Sequence, residues 1–147
     1  MFKHETQVIK FLLQWYSVNA RNLPWRKKNT LNLPDPYFVF VSEYMLQQTT
    51  VNTVKNKFND FILKWPSLNK LAQTSEPNIL KFWSGLGYYS RARNLLKSAK
   101  IIKNNFKNKI PETYEELIQL PGIGDYTANA ILGIGYNKSV MPLDANM

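Results

Sequence analysis

Two stretches of this chain carry residues whose types and spacing could do chemistry. The first is Leu120-Pro121-Gly122-Ile123-Gly124-Asp125-Tyr126-Thr127-Ala128. Glycines on either side of Ile123 allow positive φ and close backbone approach. Such a turn can leave N–H groups pointing outward at the positive end of a following helix, which is where a phosphate binds. A Gly-x-Gly turn taken alone is more often only a tight turn, but this one lies between two helical patterns with Asp144 downstream. The second stretch is Tyr37-Phe38-Val39-Phe40-Val41-Ser42-Glu43, in which an apolar run delivers a carboxyl group. A glutamate on the wet side of a helix is the commoner occurrence. One held among apolar side chains keeps its proton toward neutrality and can act as an acid.

The elements that must position these groups read as helices. Thr113-Tyr114-Glu115-Glu116 has capping-box spacing and predicts a short helix from Tyr114 to about Leu120, stopped by Pro121. Asp125 is expected to N-cap a second helix that begins at Tyr126 and turns Ala128, Ile131 and Leu132 inward. Upstream, Val8, Phe11, Leu12 and Trp15 recur at helical spacing and predict an amphipathic first helix ending near Tyr16. Asp35 and Pro36 open the helix that carries Glu43 and becomes polar at Gln47-Gln48-Thr49-Thr50. Its β-branched and aromatic run would suit a strand, but no other stretch offers a pairing partner.

Val51, Val54, Phe58, Phe61 and Trp65 make a third helix ended by Pro66. Ser67 begins a short helical piece, and Ser75 with Pro77 opens another, carrying Ile79, Leu80 and Trp83 up to Gly85-Leu86-Gly87-Tyr88-Tyr89. After Ser90, Ala92, Leu95, Ala99 and Ile102 mark a buried face and Arg93, Lys97 and Lys100 a basic one. That stripe is either a solvated face or a contact for DNA. The fold class expected is all-α, in a single domain.

Nineteen Lys and Arg residues against ten acidic ones give a net charge of +9, and the pI is about 9.7. Such a balance suits a polyanionic partner without proving one. There is no cysteine, which excludes disulfides, zinc–thiolate sites and iron–sulfur ligation by this chain. The first residues lack the apolar core of a signal peptide, and no apolar run approaches the roughly 20 residues of a membrane span, so an intracellular soluble protein is expected.

Four segments together resemble the adenine DNA glycosylases of the MutY type, relatives of endonuclease III in the helix-hairpin-helix superfamily. They are Leu23-Pro24-Trp25-Arg26, Ser42-Glu43-Tyr44-Met45-Leu46-Gln47-Gln48-Thr49, Trp83 through Leu95, and Leu120 through Leu132. The resemblance covers nearly the whole chain, in the family's order. It implies a helical barrel, with residues 1–22 as an N-terminal helix, 23–140 as the barrel with its hairpin at 114–132, and 141–147 as the start of a catalytic aspartate segment.

The resemblance also implies a reaction: excision of adenine mispaired with 8-oxoguanine or guanine, by hydrolysis of the N-glycosidic bond. Glu43 matches the acid that protonates the purine, Asp144 the carboxylate that stabilises the cationic sugar, and Tyr126 the residue that organises the acidic site. Endonuclease III has lysine where this chain has Tyr126, and tyrosine cannot form an imine, so no lysine-driven strand cleavage is expected. Gln48 and Tyr88 match groups that wedge into the duplex. Thr49 and Leu86 match positions near the oxidised guanine, Arg91, Gly122 and Gly124 further contacts to DNA, and Trp25 and Arg26 the wall of the adenine pocket.

The family continues past the aspartate with more helices, four cysteines holding an iron–sulfur cluster, and a C-terminal domain. None of these occurs in the sequence, and Ala145 and Met147 stand where the family has glycine and valine. The expectation is a truncated domain with no cofactor or metal of its own, whose Phe11, Leu12 and Trp15 face has lost its packing partner. Its expected partner is double-stranded DNA with an adenine mispair, and no membrane. It is expected to be a monomer in the bacterial cytoplasm at the nucleoid, with a separately encoded C-terminal remainder as a further conceivable partner. The alternative reading is a non-catalytic helix-hairpin-helix module that binds DNA in a salt-sensitive way.

Overall fold

A computed structural model describes residues 2–30 and 32–143 of the chain. Among them every regular element is helical. The elements are α1 (Phe2–Asn19), a 3-10 turn (Pro24–Arg26), α2 (Pro36–Leu46), α3 (Val51–Lys64), α4 (Leu68–Ala72), α5 (Glu76–Trp83), α6 (Ser90–Asn105), α7 (Tyr114–Leu117) and α8 (Asp125–Ala130). The last runs on into a wider π turn, Ile131–Gly135.

Side-chain caps set most helix starts, at Asp35, Ser67, Ser75 and Thr113 as the sequence predicts. The Asp35 carboxylate accepts from the Tyr37 amide at 2.8 Å, with Pro36 in the first turn where a missing N–H costs nothing. Thr50, Ser67 and Ser75 accept from the third residue of α3, α4 and α5. Thr113 accepts from the Glu116 amide and its hydroxyl donates to the Glu116 carboxylate at 2.7 Å, an N-cap that starts the hairpin at the spacing of a capping box. Thr113→Ala should therefore lower stability by about 1 kcal/mol in a urea melt, with the helical signal otherwise kept.

Helix α2 is the centre of the molecule. Val39, Phe40, Val41, Tyr44 and Met45 have no exposed surface, because α3, α6, α8, the 3-10 turn and the π turn surround the helix. A segment enclosed on all sides by helices has no strand to pair with and must satisfy its backbone internally, so the β-prone run is helical. Helix α6 packs on α2, α4 and α5 through Ala92, Leu95, Ala99 and Ile102. An aromatic triangle closes the far side, with ring centroids 4.7 Å apart for Phe61–Trp65, 5.5 Å for Phe61–Phe82 and 5.4 Å for Trp65–Phe82.

Three expectations about the ends of elements need correction. Helix α1 extends to Asn19 rather than Tyr16, and its Val8, Phe11, Leu12 and Trp15 side chains stand more than half exposed. Helix α7 stops at Leu117, three residues early, because the Leu120 amide turns back to the Leu117 carbonyl at 3.0 Å. Asp125 does not cap α8. Gly124 occupies the cap position, and the Asp125 carboxylate accepts from the Tyr114 hydroxyl at 2.6 Å, tying the two hairpin helices together.

Candidate active site and nucleic-acid interface

Glu43 lies in the last turn of α2, with 5% of its surface exposed. Burial disfavours its ionised form and pushes its pKa up to about 7, although the Arg26 cation pulls the other way. The carboxyl reaches a cavity of about 390 Å³ lined by Glu43, Gln47, Gln48, Tyr126, Thr127 and Leu143. This is within the size range of small-ligand sites. Tyr126 contributes from the first turn of α8 with 42% of its surface exposed. The fold thus brings Tyr126 to Glu43 and Gln48, which lie some 80 residues before it in the chain. Asp144 lies outside the described residues.

The hairpin is bolted to the helix that carries the acid. The Tyr44 hydroxyl donates to the Pro121 carbonyl at 2.5 Å and lies 2.8 Å from the Ser98 hydroxyl. The Gln47 amide donates to the Gly122 carbonyl at 3.0 Å. Gly122 has φ +80°, and a Cβ there would come within 2.9 Å of Asn94 Nδ2 and 3.2 Å of Tyr44 Cε1. Gly124 has φ −102° and open space beside it, so of the two glycines only Gly122 uses the positive φ that glycine allows. One glycine packs the turn inward and the other leaves its outer face bare. Helix α8 begins directly after Gly124, so its positive N-terminal end lies at this turn.

The two wedge candidates share an unusual backbone. Gln48 has φ +55° and Tyr88 φ +45°, a region that side-chain-bearing residues enter at a cost of about 1 kcal/mol or more. Both are exposed, Tyr88 at 62%. Thr49 is half-buried beside Gln48, and its amide bonds the Leu46 carbonyl at 3.1 Å.

Four assigned residues sit elsewhere than expected. Trp25 is core rather than pocket wall, because the 3-10 turn drives its ring edge-on against Phe58 at 5.3 Å. Arg26 stands close enough to influence Glu43. It opens, however, onto a separate cavity of about 730 Å³ shared with Leu13, Tyr16, Gly133 and Ile134, and it bonds the Tyr16 hydroxyl at 3.0 Å. That larger cavity has no carboxyl in its lining. Leu86 is buried in the core cluster. Arg91 is also buried, with its guanidinium engaged by backbone carbonyls, so it is not free to take a phosphate.

Sequence reasoning missed Gln47 and Thr127, which line the cavity, and the Tyr44–Ser98–Pro121 link. Gln47 stands in a run of polar residues with nothing to single it out. Thr127 could have been found only through its place beside Tyr126. Among the described residues no group of three or more His, Cys, Asp or Glu is placed to hold a metal ion. A chain without cysteine does not fit the iron–sulfur cluster that the resemblance implies for longer proteins.

Residues 41–147 match the family described as HhH-GPD superfamily base excision DNA repair protein. The adenine DNA glycosylase of Buchnera aphidicola subsp. Schizaphis graminum is 46% identical over 139 residues, covering 94% of this chain and 39% of that protein. The human adenine DNA glycosylase is 40% identical over 154 residues, covering 100% of this chain and 28% of that one. The chain therefore spans well under half the length of these curated relatives. Among solved structures, a thermostable thymine-DNA glycosylase superposes with a TM-score of 0.85 at 26% identity, covering 98% of this chain and 64% of its own. Endonuclease III in a non-covalent DNA complex superposes at 0.75 with 17% identity, covering 95% and 64%, which is a likeness of fold alone.

Proposed function

Because the chain belongs to the HhH-GPD superfamily of base excision DNA repair proteins, we propose that it is an adenine DNA glycosylase, hydrolysing the N-glycosidic bond of adenine mispaired with 8-oxoguanine or guanine. The observation that carries the reading is Glu43, a buried carboxyl with its pKa near 7, at the wall of a cavity shared with Tyr126 and Gln48.

Adenine leaves poorly as an anion. Glu43 donates its proton to a ring nitrogen, the bond from the base to the sugar C1′ breaks with its electron pair going to the purine, and the sugar carries the positive charge. Water adds to C1′, and the proton it loses restores the Glu43 acid. The products are free adenine and an abasic site. By resemblance, Asp144 is the carboxylate that steadies the sugar cation. Tyr126 has no amine, so the sugar is not captured as an imine and the strand is not cut. The hairpin turn around Gly124 receives the DNA backbone, aided by a net charge of +9.

The test is a single-turnover assay on a duplex with one adenine opposite 8-oxoguanine, with alkali revealing abasic sites. Release is expected, and its rate should fall about tenfold per pH unit above pH 7, as the folded Glu43 loses its proton. A rate that stays flat from pH 6 to pH 9 would remove Glu43 from the role of acid. Salt-sensitive binding without any release would favour the non-catalytic module.

A further inference from the structure

Resting on that reading, we propose that Arg91 is a positioning residue: a single buried guanidinium that locks the two duplex-wedging loops together and so sets the placement of Gln48 and Tyr88. Arg91 projects from the first turn of α6 with 5% of its surface exposed. Its Nη1 donates to the carbonyls of Tyr44 (3.2 Å), Met45 (2.8 Å) and Gln47, at the end of α2. Its Nη2 donates to the carbonyls of Leu86 (2.8 Å) and Gly87 (3.2 Å), in the loop after α5. The residue that follows each set of carbonyls is a wedge candidate, Gln48 in one loop and Tyr88 in the other.

The faces of the guanidinium are also engaged. Its central carbon lies 5.6 Å from the Trp83 ring centroid and 5.6 Å from that of Tyr88. Trp83 Nε1 donates to the same Gly87 carbonyl at 3.1 Å. Neighbouring ties reach one loop each. Lys57 bonds the Phe82 and Ser84 carbonyls, and Gln47 bonds the hairpin.

Two physical points favour placement over simple stability. Among the described residues Arg91 has no carboxylate partner, and a buried cation met by carbonyl dipoles and ring faces but by no counter-charge is a poor source of net stability. Gln48 and Tyr88 both hold strained positive φ, which persists only where the surroundings over-determine it. The planar fork spans two loops at once. A lysine ammonium, a point donor, cannot do so, and Arg91→Lys is therefore not a conservative change.

Two measurements test this. In the free wild-type protein, native-state hydrogen exchange should show the amides of Gln47, Thr49 and Leu86 opening in one shared event. Independent opening of the two loops would overturn the proposal whatever the protein's activity. The second measurement uses a duplex with 2-aminopurine in place of the mispaired adenine, whose fluorescence rises when the base is unstacked. Arg91→Lys should reduce the bound-state rise about tenfold, and adding it to a variant that carries both Gln48→Ala and Tyr88→Ala should cause no further loss, as expected of a residue that acts through those two. Fully additive losses would mean that Arg91 serves stability alone. A wild-type chain that binds the duplex with no rise would refute the glycosylase reading and the purpose assigned to the clamp. The exchange result would still report whether the loops move as one.

Discussion

Glu43→Gln is expected to slow adenine release by about a thousandfold while making the folded chain more stable above neutral pH. Both effects come from the same burial. The folded carboxyl has its pKa raised from 4.5 to about 7, so the folded state holds this proton more tightly than the unfolded state does. Stability is therefore complete below pH 4.5 and declines as the pH rises toward 7. Above that the ionised, desolvated carboxylate carries its full penalty, on the order of 3 kcal/mol. Glutamine stays neutral throughout, and its amide bears a smaller burial cost of about 1 kcal/mol, leaving a net gain of about 2 kcal/mol at pH 8 and a net loss of about 1 kcal/mol at pH 4. Urea melts of both proteins at the two pH values measure this. Equal pH dependence in the two would mean that Glu43 is not the buried acid. DNA binding should be almost unchanged, because the residue does not contribute to the backbone-gripping surface.

The second large effect is expected at Gly122. In Gly122→Ala, the added methyl meets Asn94 Nδ2 at 2.9 Å, Asn94 Cβ at 3.1 Å and Tyr44 Cε1 at 3.2 Å, in a backbone with φ +80° that alanine disfavours. Tyr44 cannot give way, since its hydroxyl is bonded to Pro121 and lies against Ser98. Strain and overpacking together should cost about 2–4 kcal/mol. Gly124→Ala is the control one step away. Its φ of −102° suits alanine and its surroundings are open, so stability should stay within about 0.5 kcal/mol. It should nonetheless weaken DNA binding, because a methyl would stand on the face that receives the phosphate. If both variants lost stability equally, the inward and outward division of the turn would be wrong. If Gly124→Ala bound DNA like wild type, this face would not be the phosphate contact.

The apolar face of α1 is where local pattern and tertiary structure part company. Phe11, Leu12 and Trp15 fall on one stripe, as the periodicity predicts, and the helix forms; nothing among the described residues covers that stripe. Periodicity reports what a helix needs to bury, while the covering partner is a matter of the third dimension.

The sequence by itself determined the helices, since each is written in local chemistry. Caps at Asp35, Thr50, Ser67, Ser75 and Thr113 start them, prolines bound them, and apolar spacing selects their inner faces. It also named Glu43 and Tyr126 through motifs. Only the tertiary structure decided that these two meet at one cavity, because α2 and α8 are neighbours in space and some 80 residues apart in the chain. The same holds for other residues. Arg91, which the resemblance makes a DNA contact, lies in the interior, because five carbonyls from the end of α2 and the loop after α5 converge on its guanidinium. Trp25 and Leu86 are core, as their residue types suggest, although the resemblance assigns them to contacts. Asp125 reads as a cap, yet the Tyr114 hydroxyl is the better-placed donor. A side chain's partner is set by which elements pack around it, and that information is not local to any stretch of sequence.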